Sequence, residues 1–258
     1  MVAIMKMQRD HVSRGIVVRE GGNLGVTVGQ RFENCTLALL RHSLSQCRKY
    51  ELPAIVKLGL SKVSCGERVN LLHHWLCRSA RWRKTVQQRV PWVISQADLG
   101  QNVLELGPGP GLTTGLLRLG VQRLTALEID AKAAESLGSR LRGSNVEVVG
   151  GDATAMPFGD ARFSGGASFT MLHHVPTADL QDKLLREVWR VLKPGGVFVG
   201  SDSLQSWLMR LIHIGDTLVP VDPDAIGRRL EAAGFEVLEV ERNADAFRFH
   251  ARRPPLRG

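Results

Sequence analysis

The chain has 258 residues, enough for one α/β domain of ordinary size with a modest appendage. With 43% apolar and 23% charged residues, its composition is globular, which excludes a collagen-like chain, wholesale disorder and a disulfide scaffold. The net charge is +9, but residues 101–240 carry a net charge of −4. The basic excess therefore belongs to the two ends and does not describe the middle of the chain, where a functional site is expected.

The first residues do not predict a signal for export. Charges lie within residues 1–15, where a signal peptide would have its apolar stretch, and no apolar run approaches the roughly 18 residues of a membrane span. We therefore expect a cytoplasmic protein. Its cysteines are 12, 18 and 12 residues apart and form no close pair of the kind that binds zinc, so we expect reduced thiols and no metal site.

The N-terminal segment differs from the rest of the chain. Residues 1–65 carry a net charge of +6 and show no sustained helical periodicity, whereas an organised pattern begins at Val69. We expect a weakly ordered extension over residues 1–68 and a domain over residues 69–258. Alternatively, residues 1–68 are upstream sequence and translation starts at Val69, since a valine codon can serve as a bacterial start.

The first predicted helix is basic and covers residues 70–89. Its apolar residues recur at helical spacing and form one face: Leu71, Leu72, Trp75, Leu76, Trp82 and Val86. Arginine and lysine fill the opposite face, and Pro91 ends or kinks the helix. The spacing of Trp75 and Trp82 favours a place in the core over a place against a ligand.

Strands and helices then alternate to the end of the chain. The strands are predicted over Asn102–Leu106, Arg123–Glu128, Val146–Val149, a segment within Phe163–Met171, Val197–Ser201, Phe235–Arg242 and Ala246–Arg252. The helices are predicted over Leu112–Leu119, Ala131–Leu141, Thr177–Leu192 and Asp224–Ala233. This order predicts a doubly wound parallel α/β sheet. The last two strands are separated by only Asn243–Asp245, so they must be antiparallel.

Two details of these elements carry further expectations. Glycines at positions 165 and 166 weaken the fourth strand, so we expect it to begin late, near Ala167. The segment Asp202–Val221 is too short for a large insertion, so we expect no bulky cap over a substrate there. The basic helix is then the expected lid.

A glycine-rich loop follows the first strand, in Val103-Leu-Glu-Leu-Gly-Pro-Gly-Pro-Gly111. Glycines at positions 107, 109 and 111 allow a tight turn and a close approach of the backbone to a ligand. A dinucleotide fingerprint would need a further glycine where Leu112 stands, so the spacing disfavours a nicotinamide-dependent dehydrogenase.

The segment Glu105–Gly111 resembles motif I of the class I S-adenosylmethionine-dependent methyltransferases, and the resemblance covers roughly Val69–Arg253. Later landmarks occur in the family's order, and they look like the small-molecule, ubiquinone/menaquinone-methyltransferase-like branch: Leu127–Asp130, Gly151–Ala153, Ala155–Asp160, Ser168–Val175 and Arg190–Gly196. The resemblance implies a Rossmann-like seven-stranded sheet and S-adenosylmethionine as the cofactor.

The same resemblance implies where the cofactor binds. The matching positions are Glu105, Gly107, Gly109, Gly111, Glu128, Ile129, Asp152, Ala153 and Thr170. Glu128 ends the second strand, where a carboxylate can accept hydrogen bonds from both ribose hydroxyls. Asp152 would reach the adenine amino group.

Two histidines are the candidate catalytic residues. The pair His173-His174 stands at the carboxyl end of the fourth strand, where open α/β sheets bind ligands. A histidine suits proton removal near neutral pH, and we name His174 first and His173 second. An ordinary structural role for both remains open. The adjacent residues His73 and His74 point in different directions on a helix and make a poor chelate.

These observations predict transfer of a methyl group to a small-molecule acceptor. Two alternatives remain: an RNA methyltransferase recruited by the basic helix 70–89, and a catalytically silent cofactor-binding module. The sequence Phe169–His174 lacks the Pro-Pro-aromatic motif with which many base-directed enzymes hold their target, so a nucleic-acid substrate is disfavoured. The acceptor's identity and the oligomeric state cannot be predicted from the sequence.

Overall fold

The computed structural model describes residues 75–77 and 79–256. The expected extension over residues 1–68, the start of the predicted basic helix and the pair His73-His74 lie outside these ranges. The division into residues 1–68 and 69–258 therefore stays a prediction.

Six helices and seven strands make up the described part of the chain. The helices are α1 (Ala80–Ile94), α2 (Leu112–Leu117), α3 (Ala131–Arg140), α4 (Ala178–Val191), α5 (Trp207–Ile212) and α6 (Ile226–Ala232). The strands are β1 (Asn102–Leu106), β2 (Arg123–Glu128), β3 (Val146–Gly150), β4 (Phe163–Phe169), β5 (Leu192–Ser203), β6 (Glu236–Arg242) and β7 (Ala246–Arg252). A 3-10 turn over Leu172–His174 follows β4. No helix in this part is long and apolar enough to cross a membrane.

All seven strands form one sheet in the order β3-β2-β1-β4-β5-β7-β6. The first five strands are parallel, while β7 pairs antiparallel with both β5 and β6. This confirms the predicted doubly wound α/β sheet with an antiparallel last strand. The chain reverses its winding direction between β1 and β4, and ligands bind outside the carboxyl ends of the strands at such a switch point.

Side chains alternate between the two faces of the sheet, because successive residues of a strand point in opposite directions. Leu104 and Leu106 of β1 pack into the core cluster that also holds Leu184 and Leu185 of α4. Val103, the residue before Leu104, packs on the other face with Val86 and Val90 of α1. Both faces of the sheet are therefore covered by helices, as its apolar strands require.

Helix α1 differs from the predicted basic helix at both ends. It begins at Ala80, where the Ser79 side chain accepts the Trp82 N–H at 3.1 Å as an N-cap. It runs through Pro91 to Ile94, because Pro91 is exposed and the carbonyl freed by the missing N–H can meet solvent. The cap separates Trp75 from α1, and Trp75 is 67% exposed, so its expected place in the core was wrong.

Strand β4 begins at Phe163, so the expected late start near Ala167 was wrong. The two glycines that weaken a strand in isolation are required here by close packing. A Cβ on Gly165 would clash with the Leu99 backbone, and one on Gly166 would lie 3.3 Å from the Phe198 ring. The glycines of Lys193–Gly196 also lie within a strand. They belong to the start of β5, which the sequence predicts only from Val197.

Candidate functional site

A cleft of about 970 Å³ opens at the carboxyl ends of the parallel strands. The glycine loop after β1, the end of β2 and the loop after β3 line one side of it. Residues after β4, the strand between β1 and β5 in the sheet, also line the cleft, as do α5, which follows β5, and α1. This is the position that the strand order predicts for a ligand site.

The glycine loop runs along the cleft with its backbone in the left-handed region. Gly107, Gly109 and Gly111 have φ values of +61°, +51° and +82°, which glycine adopts without steric cost. A Cβ on Gly109 would meet no protein atom within 4 Å. At Gly109 the loop therefore presents bare backbone to open space, whereas a Cβ on Gly107 or Gly111 would clash with Met171 or Leu137.

Glu128 ties this loop to the end of β2. Its Oε2 accepts the Gly109 N–H at 2.9 Å, and its Oε1 accepts the Asp130 N–H at 3.0 Å. An ionised carboxylate offers about four acceptor positions, so each oxygen can accept one more hydrogen bond. The next residue, Ile129, also lines the cleft and is 39% exposed.

Glu105 lies beneath the loop, buried in β1 with 1% exposure. One of its oxygens accepts the Thr113 hydroxyl, and the other has no hydrogen-bond partner within the described ranges. Burial raises the pKa of this carboxyl to about 7. A cationic ligand group nearby would favour its ionised form.

Three further sequence-predicted cofactor residues, Asp152, Ala153 and Thr170, line the cleft. Asp152 is exposed and uses Oδ1 to accept the Thr154 N–H at 2.8 Å, which fixes the turn after β3 and holds Ala153 at the cleft wall. Thr170 follows β4 with φ +50°, a conformation that costs a non-glycine residue about 1–2 kcal/mol. Strained residues of this kind cluster at functional sites.

His173 pairs with an acidic residue that the sequence reasoning missed. Its Nδ1 lies 2.5 Å from Oδ1 of Asp202 on β5, and its backbone N–H donates to the other carboxylate oxygen at 3.2 Å. Both residues are buried. The motif Ser201-Asp-Ser203 at a strand end was the available signal for Asp202, and the pairing β4–β5 brings it beside the histidine.

His213 is a third histidine at the same place, after α5. Its Nδ1 lies 2.7 Å from the Met209 carbonyl oxygen. The ring centroids of His173 and His174 are 4.1 Å apart. The centroid of the His213 ring lies 5.1 Å from that of His173 and 5.2 Å from that of His174. Burial lowers the pKa of His213. No local sequence pattern announces this residue, since it joins the others only through the tertiary fold.

The outer part of the cleft is mostly apolar. Trp82 and Val86 come from α1, while Leu208, Met209 and Ile212 come from α5. Helix α5 was not predicted, so the expectation that the basic helix is the only lid was wrong. Arg89 adds one cation to this wall, where its guanidinium lies over Trp82 and donates to Ser203 Oγ at 3.2 Å.

Comparisons with known proteins agree with this architecture. Residues 104–200 match the methyltransferase domain family model. The chain is 33% identical over 183 residues to 24-methylenesterol C-methyltransferase 2 of Oryza sativa subsp. japonica, covering 63% of this chain and 48% of that protein. It is 28% identical over 155 residues to the ubiquinone/menaquinone biosynthesis C-methyltransferase of Rubrivivax gelatinosus, covering 59% of this chain and 60% of that protein.

A solved structure shows the same fold. The N-methyltransferase NodS of Bradyrhizobium japonicum WM9, in complex with S-adenosyl-L-homocysteine, superposes with a TM-score of 0.55 at 19% identity, covering 70% of this chain and 91% of that one. The chain spans about half the length of the curated relatives that it matches first.

The residues of the cleft fit the cofactor of these proteins. Gly109 leaves room for a ligand, and Glu128 has acceptor capacity for a diol. Glu105 is buried beneath the loop and does not itself line the cleft. Residues 104–200, which match the methyltransferase domain model, therefore form the part of the chain that resembles the class I S-adenosylmethionine-dependent methyltransferases.

Proposed function

We propose that this protein transfers a methyl group from S-adenosylmethionine to an apolar small-molecule acceptor. The observation that carries the proposal is a cleft that joins two different surfaces. One is a polar side built from the glycine loop and Glu128, and the other is an apolar side built from α1 and α5. Two ligands, one bound on each side, would meet near the residues that follow β4.

The polar side would hold the cofactor, which supplies an electrophilic methyl group on its sulfonium sulfur. We propose that the glycines at 107, 109 and 111 take its amino-acid portion and that Glu105 balances the positive charge. Glu128 would accept both ribose hydroxyls, while Ile129, Asp152 and Ala153 would form the adenine site. Thr170 would mark the boundary with the acceptor. The hydrogen bonds of Glu128 and Asp152 and the partial exposure of Ile129 support these assignments.

The apolar side would hold the acceptor. Burial of apolar surface stabilises a complex by about 25 cal/mol per Å², so Trp82, Leu208, Met209 and Ile212 favour a lipid-like or ring-containing molecule. The curated relatives are named for acceptors of this kind, including sterols, fatty acids and quinones. We propose an acceptor of this general class for this chain and name no individual acceptor.

His174 and His173 remain the proposed catalytic residues. They line the cleft in the turn after β4, where the nucleophilic atom of the acceptor must approach the methyl group. Alignment of two bound reactants can supply roughly 7–11 kcal/mol of the barrier, so orientation by these side chains is their first role. Removal of a proton by His174 or by His173 stays a hypothesis from the sequence, to which the structure adds the contact of His173 with Asp202.

Transfer of a radioactive methyl group tests the proposal. The full chain is incubated with methyl-labelled cofactor and, separately, with a sterol, a demethylated quinone, a long-chain fatty acid and total RNA. We expect label in an organic-soluble product. A Gly109→Val variant should give none, whereas Glu135→Ala, on the exposed face of α3, should retain the activity. Label that enters RNA but no lipid would contradict the proposed acceptor class.

A further inference from the structure

Three histidines converge on one point of the cleft. His173 and His174 belong to the turn after β4, and His213 follows α5, 39 residues later in the chain. One ligand nitrogen from each of them lies within 4.8 Å of the other two. All three residues line the cleft, so a fourth ligand position at this point would face the space proposed for the acceptor.

Two of these rings are held from behind by acceptors. Nδ1 of His173 lies 2.5 Å from Asp202, and Nδ1 of His213 lies 2.7 Å from the Met209 carbonyl oxygen. When Nδ1 carries the proton for such a contact, the lone pair of the neutral ring is on Nε2. Histidines that bind metals almost always donate their other N–H to a carboxylate or a carbonyl in this way.

The three nitrogens would have to move closer together to share one ion. Two nitrogens bound to one zinc ion at about 2.0–2.1 Å lie roughly 3.4 Å apart in tetrahedral geometry, while the upper limit of separation here is 4.8 Å. His174 is less buried than His173 and His213, so rotation of its side chain can shorten its distances to them. The turn holding His173 and His174 is further fixed by the bond from the Val219 N–H to the His173 carbonyl at 2.8 Å.

We propose that His173, His174 and His213 bind one divalent transition-metal ion, with Zn²⁺ as the reference case. Three imidazole nitrogens suit zinc and its first-row neighbours, whereas Mg²⁺ and Ca²⁺ need oxygen ligands that this cluster does not provide. Asp202 supplies one negative charge behind His173. The fourth position opens to the cleft, as in catalytic rather than structural zinc sites.

The adjacency of His173 and His174 conceals this site in the sequence. Two neighbouring residues cannot chelate well from a helix, and the third ligand has no fixed spacing from them. In a 3-10 turn the two rings instead lie with their centroids 4.1 Å apart. The expectation of no metal site rested on the spacing of the cysteines, and this cluster contains no cysteine.

Metal binding does not depend on methyl transfer as such, but it excludes proton removal by the same rings, because a histidine that binds a metal through Nε2 and holds a proton on Nδ1 has no lone pair left. It concerns nitrogens on the acceptor side of the cleft, whereas cofactor binding depends on Glu128 and the glycine loop. The two proposals therefore fail separately: a protein that binds the cofactor but no metal overturns only this one.

Direct metal titration tests the site. The full chain, purified without a polyhistidine tag and stripped with chelator, is titrated with Co²⁺ while its visible absorption is followed. We expect about one equivalent to bind with the spectrum of a nitrogen-ligated ion and to be displaced by Zn²⁺. Calorimetry on the stripped protein should still detect binding of S-adenosylmethionine.

Variants show whether these residues are the ligands. His213→Ala should lower the Co²⁺ affinity at least 100-fold, and Asp202→Asn should lower it about 10- to 100-fold, the usual effect of losing an outer partner. The control is His250→Gln. His250 contacts the Val93 carbonyl oxygen away from the cleft, and glutamine keeps a donor there, so its affinity should be unchanged.

Two results would overturn the proposal. The first is stripped wild-type protein that binds no Co²⁺ at concentrations of about 100 μM. The second is His213→Ala and Asp202→Asn proteins that fold, by thermal melting, and bind Co²⁺ as tightly as the wild type. Where His213→Ala does not fold, His213→Gln takes its place, because it keeps a polar side chain of similar length.

Discussion

Glu128 accepts a hydrogen bond from the backbone N–H of Gly109, with 2.9 Å between Oε2 and the nitrogen. The end of β2 and the loop after β1 are thereby joined through one carboxylate. The same group is proposed to accept the ribose hydroxyls, so a ligand bound to Glu128 also lies against the glycine loop. The Glu128 carboxylate thus determines both the course of the loop and the charge at this point of the cleft.

Glu128→Ala should weaken binding of S-adenosylmethionine by about 1.5–3 kcal/mol, the usual value of hydrogen bonds to a charged group. Calorimetry measures the change. Glu135→Ala, which removes an exposed carboxylate from α3, is the matched control and should bind as the wild type does. Equal affinities in folded Glu128→Ala and wild-type protein would remove Glu128 from the ribose site.

Gly109→Val should abolish cofactor binding and leave the protein folded. Valine at φ +51° carries a backbone cost of about 1–2 kcal/mol, and its side chain would project into open space of the cleft. Gly143→Val separates these two effects. Gly143 has φ +78° and similarly open surroundings, but it does not line the cleft.

Both variants should therefore lose comparable thermal stability, and only Gly109→Val should lose the cofactor. Melting curves and calorimetry on the same preparations make the comparison. Normal binding by Gly109→Val would show that the loop is no more than a turn between β1 and α2.

The position of Glu128 beside the glycine loop could be predicted because its determinants are local in sequence. The glycine spacing fixes the loop, and a carboxylate that ends the next strand falls beside it whenever β1 and β2 are parallel neighbours. Leu106 pairs with Leu127, so Glu128, the next residue of β2, is level with the start of the glycine loop. Only the order of the strands is needed.

The acceptor side could not be predicted in this way. Asp202 lies beside His173 because β4 pairs with β5, and His213 belongs to the segment after α5. Neither position follows from spacing along the chain. The same holds for Gly165, whose weak strand propensity is outweighed by the close approach of Leu99, and for Ser79, whose cap interrupts an otherwise continuous apolar stripe.

Truncation tests the predicted extension. Deletion of residues 1–65 should leave the melting temperature and the cofactor affinity almost unchanged, if this segment forms no part of the domain. Differential scanning calorimetry and titration with S-adenosylmethionine measure both. A fall of several degrees would assign residues 1–65 to the domain, and intact-mass analysis of the native protein would show whether translation starts at Val69.

Glu105 should make the stability of the cofactor-free protein depend on pH. Its pKa is about 7 in the folded protein against 4.5 for the unperturbed group, because burial disfavours the charged form. Between these two values the folded protein keeps a proton that the unfolded chain has released. The free energy of unfolding should therefore fall as the pH rises from about 4.5 to 7.

Glu105→Gln removes this titration while keeping an oxygen that can accept the Thr113 hydroxyl. Urea unfolding of the wild type between pH 5 and pH 8 should show an additional loss of up to about 3 kcal/mol, since one pKa unit corresponds to 1.36 kcal/mol. The variant should lack that loss, and Glu135→Gln should behave as the wild type. Parallel pH profiles for Glu105→Gln and wild type would mean that the Glu105 carboxyl titrates in the folded state as it does in the unfolded chain.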